Sequence, residues 1–213
     1  MRVPLDSATS FNDTDGESLA DVSAYQRLIG KLMYLTISRP GIAYAVNRLS
    51  QFMQKSRTSH LAGVHHVLQY LKGTPDKGLF FPSKSSYRIT AFADADWGSC
   101  KVTRKSTIGF CVFFGDALIS WKSKKQPTVA RSSAEAEYRA LASLTSELLW
   151  IRQLLRTFEV NVQFVMNVQN QFLKLIHVKS TQQLADPLTK VLPWALYDSL
   201  TSKWGMVDIY LPT

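Results

Sequence analysis

Thr107-Ile-Gly-Phe-Cys-Val-Phe-Phe-Gly-Asp-Ala-Leu-Ile-Ser-Trp121 is the stretch on which the fold turns. Two apolar runs rich in aromatic and β-branched residues flank Gly115-Asp116, a two-residue step that favours a tight hairpin. Thr107–Phe114 and Ala117–Trp121 are therefore predicted as paired strands. Upstream, Tyr87–Ala93 reads as another strand. Downstream, Leu141, Leu144, Leu148, Ile151 and Leu155 recur at helical spacing, which predicts one long amphipathic helix from about Ser133 to Phe158. Val160, Val162, Phe164, Met166 and Val168 alternate strictly, a strand pattern over 160–168, and Phe172–Val178 reads as a further strand. Short helices are expected at about 182–190 and 194–204. Strands interleaved with a long helix define an α/β domain with a mixed sheet and flanking helices.

The N-terminal third reads differently. Residues 1–22 hold five acids (Asp6, Asp13, Asp15, Glu17, Asp21) against one base, Arg2, and are rich in Ser, Asp and Gly. They read as a flexible acidic segment. Ser23 is a candidate cap for a helix carrying Gln26, Leu28, Ile29, Leu32, Met33 and Leu35, stopped by Pro40. Further helices are predicted over Ile42–Met53 and roughly His60–Leu71. Residues 23–75 thus form a helical appendage, Pro75-Asp76-Lys77-Gly78 a turn, residues 85–190 the α/β domain, and residues 191–213 a helical tail.

The chain has 213 residues, 46% of them apolar, enough for one domain with its own core plus an appendage. Its net charge is +9, and the acidic start makes the remainder more basic still. A basic body points to a polyanion, nucleic acid first, or to nothing more than a soluble basic surface. Two cysteines, Cys100 and Cys111, do not make a disulfide framework and suit a reducing compartment. No secretory signal is expected, and no apolar run is long enough for a membrane span.

Chemistry is carried by acids on separate elements. Asp94 and Asp96 end the first predicted strand, two apart and so on one face; periodicity does not choose between them, and a turn-forming Asp pair has the same pattern. On the long helix, the apolar stripe points close to the direction of Glu137, whereas Glu135 points roughly 160° away. A carboxylate on a core-facing stripe needs a partner such as a metal, unless it escapes to water at the helix end. Asp186 precedes Pro187, a position as common in ordinary turns as in active sites. Lys101, Arg104 and Lys105 follow the first strand, and Lys122, Lys124, Lys125 and Arg131 precede the long helix, with Trp97 and Trp121 among them. Cations interleaved with aromatics suit a phosphate backbone, though solvated loops carry such runs too. His65, His66 and His177 lack metal-ligand spacing. There is no glycine-rich phosphate loop.

Several long motifs, in order, carry a resemblance. They are Tyr25-Gln-Arg-Leu-Ile-Gly-Lys-Leu-Met-Tyr-Leu-Thr, Ser38-Arg-Pro, Tyr70-Leu-Lys-Gly-Thr, Ala93-Asp-Ala-Asp-Trp, Ser120-Trp-Lys-Ser-Lys-Lys-Gln, Ser132-Ser-Ala-Glu-Ala-Glu-Tyr, Ile176-His-Val and Leu184-Ala-Asp-Pro-Leu-Thr-Lys. Over about 23–158 and 172–204 the chain resembles the C-terminal end of the Pol polyprotein of copia-type LTR retrotransposons. The resemblance implies that 23–75 is the helical segment behind a reverse transcriptase palm and that 85–190 is an RNase H-like domain. The Tyr-x-Asp-Asp polymerase motif is absent, so no polymerase site is expected. It further implies hydrolysis of the RNA strand of an RNA–DNA hybrid with Mg²⁺, or Mn²⁺ in its place, held by Asp94, Glu137 and Asp186. The remainder of a reverse transcriptase would be the partner, in cytoplasmic virus-like particles. The family's fourth-strand Asp has no match: Gln169 stands in Val168-Gln-Asn-Gln where it would fall. The implied reading is an internal deletion near 159–171, with residues 160–168 available to fill the lost strand's slot. Cleavage is then expected to be impaired, because a two-metal site loses several kcal/mol of transition-state stabilisation with a missing carboxylate. A non-catalytic nucleic-acid-binding remnant, or a degenerate product, is the alternative.

Overall fold

The computed structural model describes residues 1–6, 11–160, 162–164 and 178–208. Three helices open the chain: α1 (Val22–Leu35), α2 (Ala43–Ser50) and α3 (Thr58–Lys72). Asp21 rather than Ser23 caps α1, its carboxylate accepting the Ala24 N–H at 2.8 Å. Pro40 starts a 3₁₀ turn, Pro40–Ile42, that leads directly into α2. Strand β1 (Lys77–Leu79) follows, then β2 (Arg88–Asp96), β3 (Thr107–Phe114) and β4 (Ala117–Lys125). The long helix α4 (Ser133–Thr157), the two-residue strand β5 (Gln163–Phe164), helix α5 (Trp194–Thr201) and strand β6 (Met206–Asp208) complete the described α-helices and strands, and two 3₁₀ turns, Ser180–Gln182 and Asp186–Leu188, stand where a short helix over about 182–190 was expected. The protein is a mixed α/β structure.

The main sheet runs β4-β3-β2-β5. The β3–β4 hairpin turns on Gly115, whose φ of 58° is the left-handed value that a two-residue loop asks of its first position. β2 pairs antiparallel with β3, and β5 lies parallel to β2, with Arg88 beside Gln163 and Ile89 beside Phe164. The described part of the predicted 160–168 strand thus sits next to β2. The predicted strand over 172–178 lies outside the described residues, save Val178.

Alternation divides the sheet. Ile89, Phe110 and Val112 face α4, packing on Leu144, Leu148 and Ile151. Cys111, Phe113 and Leu118 face the other way, into a larger core built from α1, α2 and α3 together with Leu188, Leu200 and Trp204. The helical appendage, one sheet face and the C-terminal turns therefore share one interior. The expected flexible segment 1–22 is docked among its described residues: Leu5 and Phe11 are buried in that core, and Arg57 donates to the carbonyls of Asp13 and Gly16 at 2.6 and 2.7 Å. The expected helical tail also differs, since β6 follows α5 and pairs antiparallel with β1 where a turn was predicted at Lys77-Gly78.

Candidate acidic site at the sheet end

Asp94 and Asp96 share the parity of Phe92, which packs into the larger core. Both therefore point to the side of the sheet where the 184–192 segment lies. That segment comes very close because Asp94 stands opposite Gly109 in register, and Gly109 presents no side chain. A Cβ there would meet Leu188 Cβ at 2.7 Å and Thr189 Cγ2 at 2.8 Å. The 3₁₀ turn Asp186–Leu188 thus lies on the strand, with Gln183 Nε2 donating to the Ala93 carbonyl at 3.0 Å.

Lys190 links the two acids. Its Nζ is 3.0 Å from Asp186 Oδ1 and 3.5 Å from Asp94 Oδ2. The Thr189 hydroxyl donates to Asp94 Oδ2. Asp94 and Asp186 are both buried, Asp186 to 3% exposure. Glu137, one turn into α4, reaches over the end of β2 and accepts the Ala95 N–H at 3.3 Å. Glu135 faces away and accepts from Arg139 and from the Arg131 N–H. The helical-face argument for Glu137 over Glu135 agrees with these partners.

The electrostatics are those of crowded carboxylates. Burial, then repulsion from Asp94, pushes Asp186 up to about 6 against the pull of Lys190. Burial and Asp94 likewise raise Glu137, and burial raises Asp96, whose other neighbours include Lys190, Asp94, Ser99 and Arg48. The neighbouring acids hold Lys190 above its ordinary value although burial opposes this. All these donors are hard oxygens, the kind a Mg²⁺ or Mn²⁺ ion takes. In kind, Asp94 and Asp186 fit such an ion. Among the described residues, however, no three acidic, His or Cys side chains stand close enough together to hold one.

The basic residues divide. Lys122 lies on the α4 side of β4, its Nζ 5.7 Å from the Phe110 ring centroid, and exposed Lys124 has the same parity. Lys125 points the opposite way and donates to Oε1 of Gln51, the residue that follows α2, at 2.7 Å. Arg104 is exposed, in a left-handed backbone conformation with φ 53°, and its guanidinium lies over Gly98. Lys101 is exposed and Lys105 half-buried in the same loop, while Arg131 is exposed ahead of α4. Trp97 is half-exposed and donates to the Ala130 carbonyl at 3.0 Å, joining that loop to the approach to α4. Trp121 is committed to the fold, donating to the Thr36 carbonyl at 2.9 Å.

Sequence reasoning passed over Lys190 and Thr189. The signal was available: Lys190 follows Asp186 by four residues, a spacing that brings opposite charges together on a turn.

The Retrovirus-related Pol polyprotein from transposon RE1 of Arabidopsis thaliana is 35% identical over 98% of this chain and 17% of its own length. The Retrovirus-related Pol polyprotein from transposon TNT 1-94 of Nicotiana tabacum is 30% identical over 85% of the chain and 16% of its own length. An uncharacterized mitochondrial protein of Arabidopsis thaliana, AtMg00810, is 47% identical over 61% of the chain and 54% of its own. No family model and no solved structure matches. This chain belongs to the Pol polyproteins of copia-type retrotransposons. It spans only 17% of the length of the RE1 polyprotein.

Proposed function

We propose that this chain is a reverse transcriptase/RNase H fragment that binds RNA–DNA hybrid at the β2–α4 end of the sheet and cleaves its RNA strand weakly or not at all. One observation carries the reading: Asp94 and Asp186, far apart in sequence, share Lys190 beside the Glu137 carboxylate. The sheet order β4-β3-β2-β5, with α4 on one face, supports an RNase H-like arrangement. Asp94 and Asp186 would hold Mg²⁺ or Mn²⁺, which when bound supplies the Lewis acidity that phosphodiester hydrolysis uses, and Glu137, which does not stand close enough in this structure to complete a three-acid set, would have to move in to join them. Thr189 orients Asp94, and the Ala95 N–H orients Glu137. Lys101, Arg104, Lys105, Lys122, Lys124 and Arg131 are the cations offered to phosphate. Lys125, bonded to Gln51, contributes field rather than contact. The missing fourth-strand acid is the reason for impairment; Gln169, which stands at its place, lies outside the described residues. The proposed setting is a reverse transcriptase complex in a cytoplasmic particle.

The second reading is a hybrid-binding module that does not cut. The ammonium of Lys190 between the two acids favours it. Cleavage of a labelled hybrid by purified protein, in Mg²⁺ and then Mn²⁺ beside Glu137→Gln, tests both. The expected result is salt-sensitive binding with little or no cutting. Robust cutting that Glu137→Gln abolishes would overturn the impairment, and absence of hybrid binding would overturn the whole reading.

A further inference from the structure

Two buried carboxylates brought side by side repel each other unless positive charge lies between them. Here that charge is covalently attached. Lys190 extends from the end of the 184–190 segment to within 3.0 Å of Asp186 and 3.5 Å of Asp94. Its side chain remains 35% exposed while Asp94 and Asp186 are 12% and 4% exposed, so the lysine is the member of the three most open to solvent. Thr189 adds a hydroxyl to Asp94 but no charge. Among the described residues, Lys190 supplies the only ion pair of either acid.

We propose that Lys190 is the resident counter-ion of the Asp94–Asp186 pair: it holds the two acids together without a divalent cation and competes with one for them, so that it sets the metal concentration to which the site responds. The inference rests on reading Asp94 and Asp186 as the metal-facing acids. One ammonium neutralises one of the two carboxylates, and Glu137 adds a further negative charge nearby. A divalent ion is therefore still attracted, but it meets a position partly filled by a tethered cation. The fold should consequently be indifferent to magnesium as long as Lys190 is present, and dependent on it once Lys190 is gone.

The experiment is thermal unfolding of wild type and Lys190→Met, which keeps a similar apolar stem and removes the charge. Each is measured in chelator, in millimolar Mg²⁺, and in NaCl at matched ionic strength. Wild type should show little difference among the three. Lys190→Met should melt several degrees lower in chelator and recover in Mg²⁺ but not in NaCl. Calorimetric titration should show Mg²⁺ binding tightened on the order of tenfold or more, as expected from removing a unit charge this close. The double variant Asp94→Asn/Lys190→Met removes the excess negative charge and should regain stability without metal. A Lys190→Met protein whose melting and Mg²⁺ response match wild type overturns the proposal. So does a double variant as unstable as the single one, because the lysine would then act only through its packed stem. None of these readouts requires cutting, so a wild type that cleaves no hybrid leaves the result standing on its own.

Discussion

Asp94 and Gly109 lie directly opposite each other on β2 and β3, and the bare backbone of Gly109 is what lets the Asp186 turn reach Asp94. Leu188 and Thr189 occupy the space that any side chain at position 109 would need. The two acids of the site are thus brought together by an omission on the neighbouring strand.

Gly109→Ala should therefore destabilise the protein by about 1–3 kcal/mol, the usual cost of overpacking against backbone that cannot yield freely. Gly78→Ala on β1 is the control, since nothing lies within 4 Å of a Cβ there. Urea unfolding of both variants checks the difference. Equal midpoints would mean that the turn is not seated on β3 as described.

Lysines on the two faces of β4 should separate in their effects. Lys122→Ala and Lys124→Ala are expected to weaken hybrid binding and to lower the salt slope by about one for each phosphate left without its cation. Lys125→Ala should leave the slope nearly unchanged and lower stability instead, because its ammonium bonds Gln51 at the C-terminal end of α2. Binding titrations at several salt concentrations, paired with melting curves, distinguish the two outcomes.

His60 makes the N-terminal docking sensitive to acid. Its Nδ1 accepts the Arg57 N–H at 3.0 Å, so its Nε2 carries the proton and donates to the Asn12 carbonyl at 2.9 Å. The ring is fully buried, stacked on Phe52, and burial holds its pKa below the ordinary value. Asp13 and Asp15 favour the charged form and Arg57 opposes it. A depressed histidine contributes stability that is present above its unfolded pKa, about 6.5. That contribution is lost as pH falls below this value towards the folded pKa. Wild type should lose stability over this window more steeply than His60→Asn, which cannot titrate. Parallel melting curves from pH 7.5 to 5 would refute the assignment.

The two thiols should differ in reactivity. Burial alone would raise Cys100, but hydrogen bonds from the Thr103 side chain and backbone, together with the charge of Lys125, bring it to about 7. It borders a cavity of about 160 Å³ beside Lys101, Thr103 and Lys125. Cys111 is fully buried in β3 and burial pushes it far up. A thiol reagent near pH 7.5 should label Cys100 in the folded protein and reach Cys111 only on unfolding. Cys100→Ser should abolish the folded-state labelling.

The hairpin and the long helix were legible because their signals are local. Gly115 between two apolar runs and the Leu144–Leu148–Ile151 stripe needed nothing from the rest of the chain. The side of α4 on which Glu137 lies was legible for the same reason, since a helix face is set by spacing alone. Leu5 and Phe11 were not: an acidic, Ser-rich segment reads as solvated, and its docking depends on tertiary partners such as Arg57, Ser59, His60 and His66, remote in sequence. Strand β6 is three residues long and is defined by its pairing with β1, which no local pattern announces. The ammonium of Lys190 stood within a motif already singled out, yet its partner Asp94 lies on an element remote in sequence.

Tyr70 of α3 and Tyr197 of α5 meet through their hydroxyls at 3.2 Å, and Tyr197 also donates to the Gly41 carbonyl at 3.1 Å, inside the same core that receives Cys111, Phe113 and Leu118. A cut between the helical segment and the sheet would expose the greasy undersides of both pieces at once. In evolutionary terms the heritable module is the combined body: a deletion or exchange that respects only the sheet-bearing half would strip that half of its lining. Tolerated rearrangements of such elements in a genome are then those that move helices, sheet and C-terminal turns together.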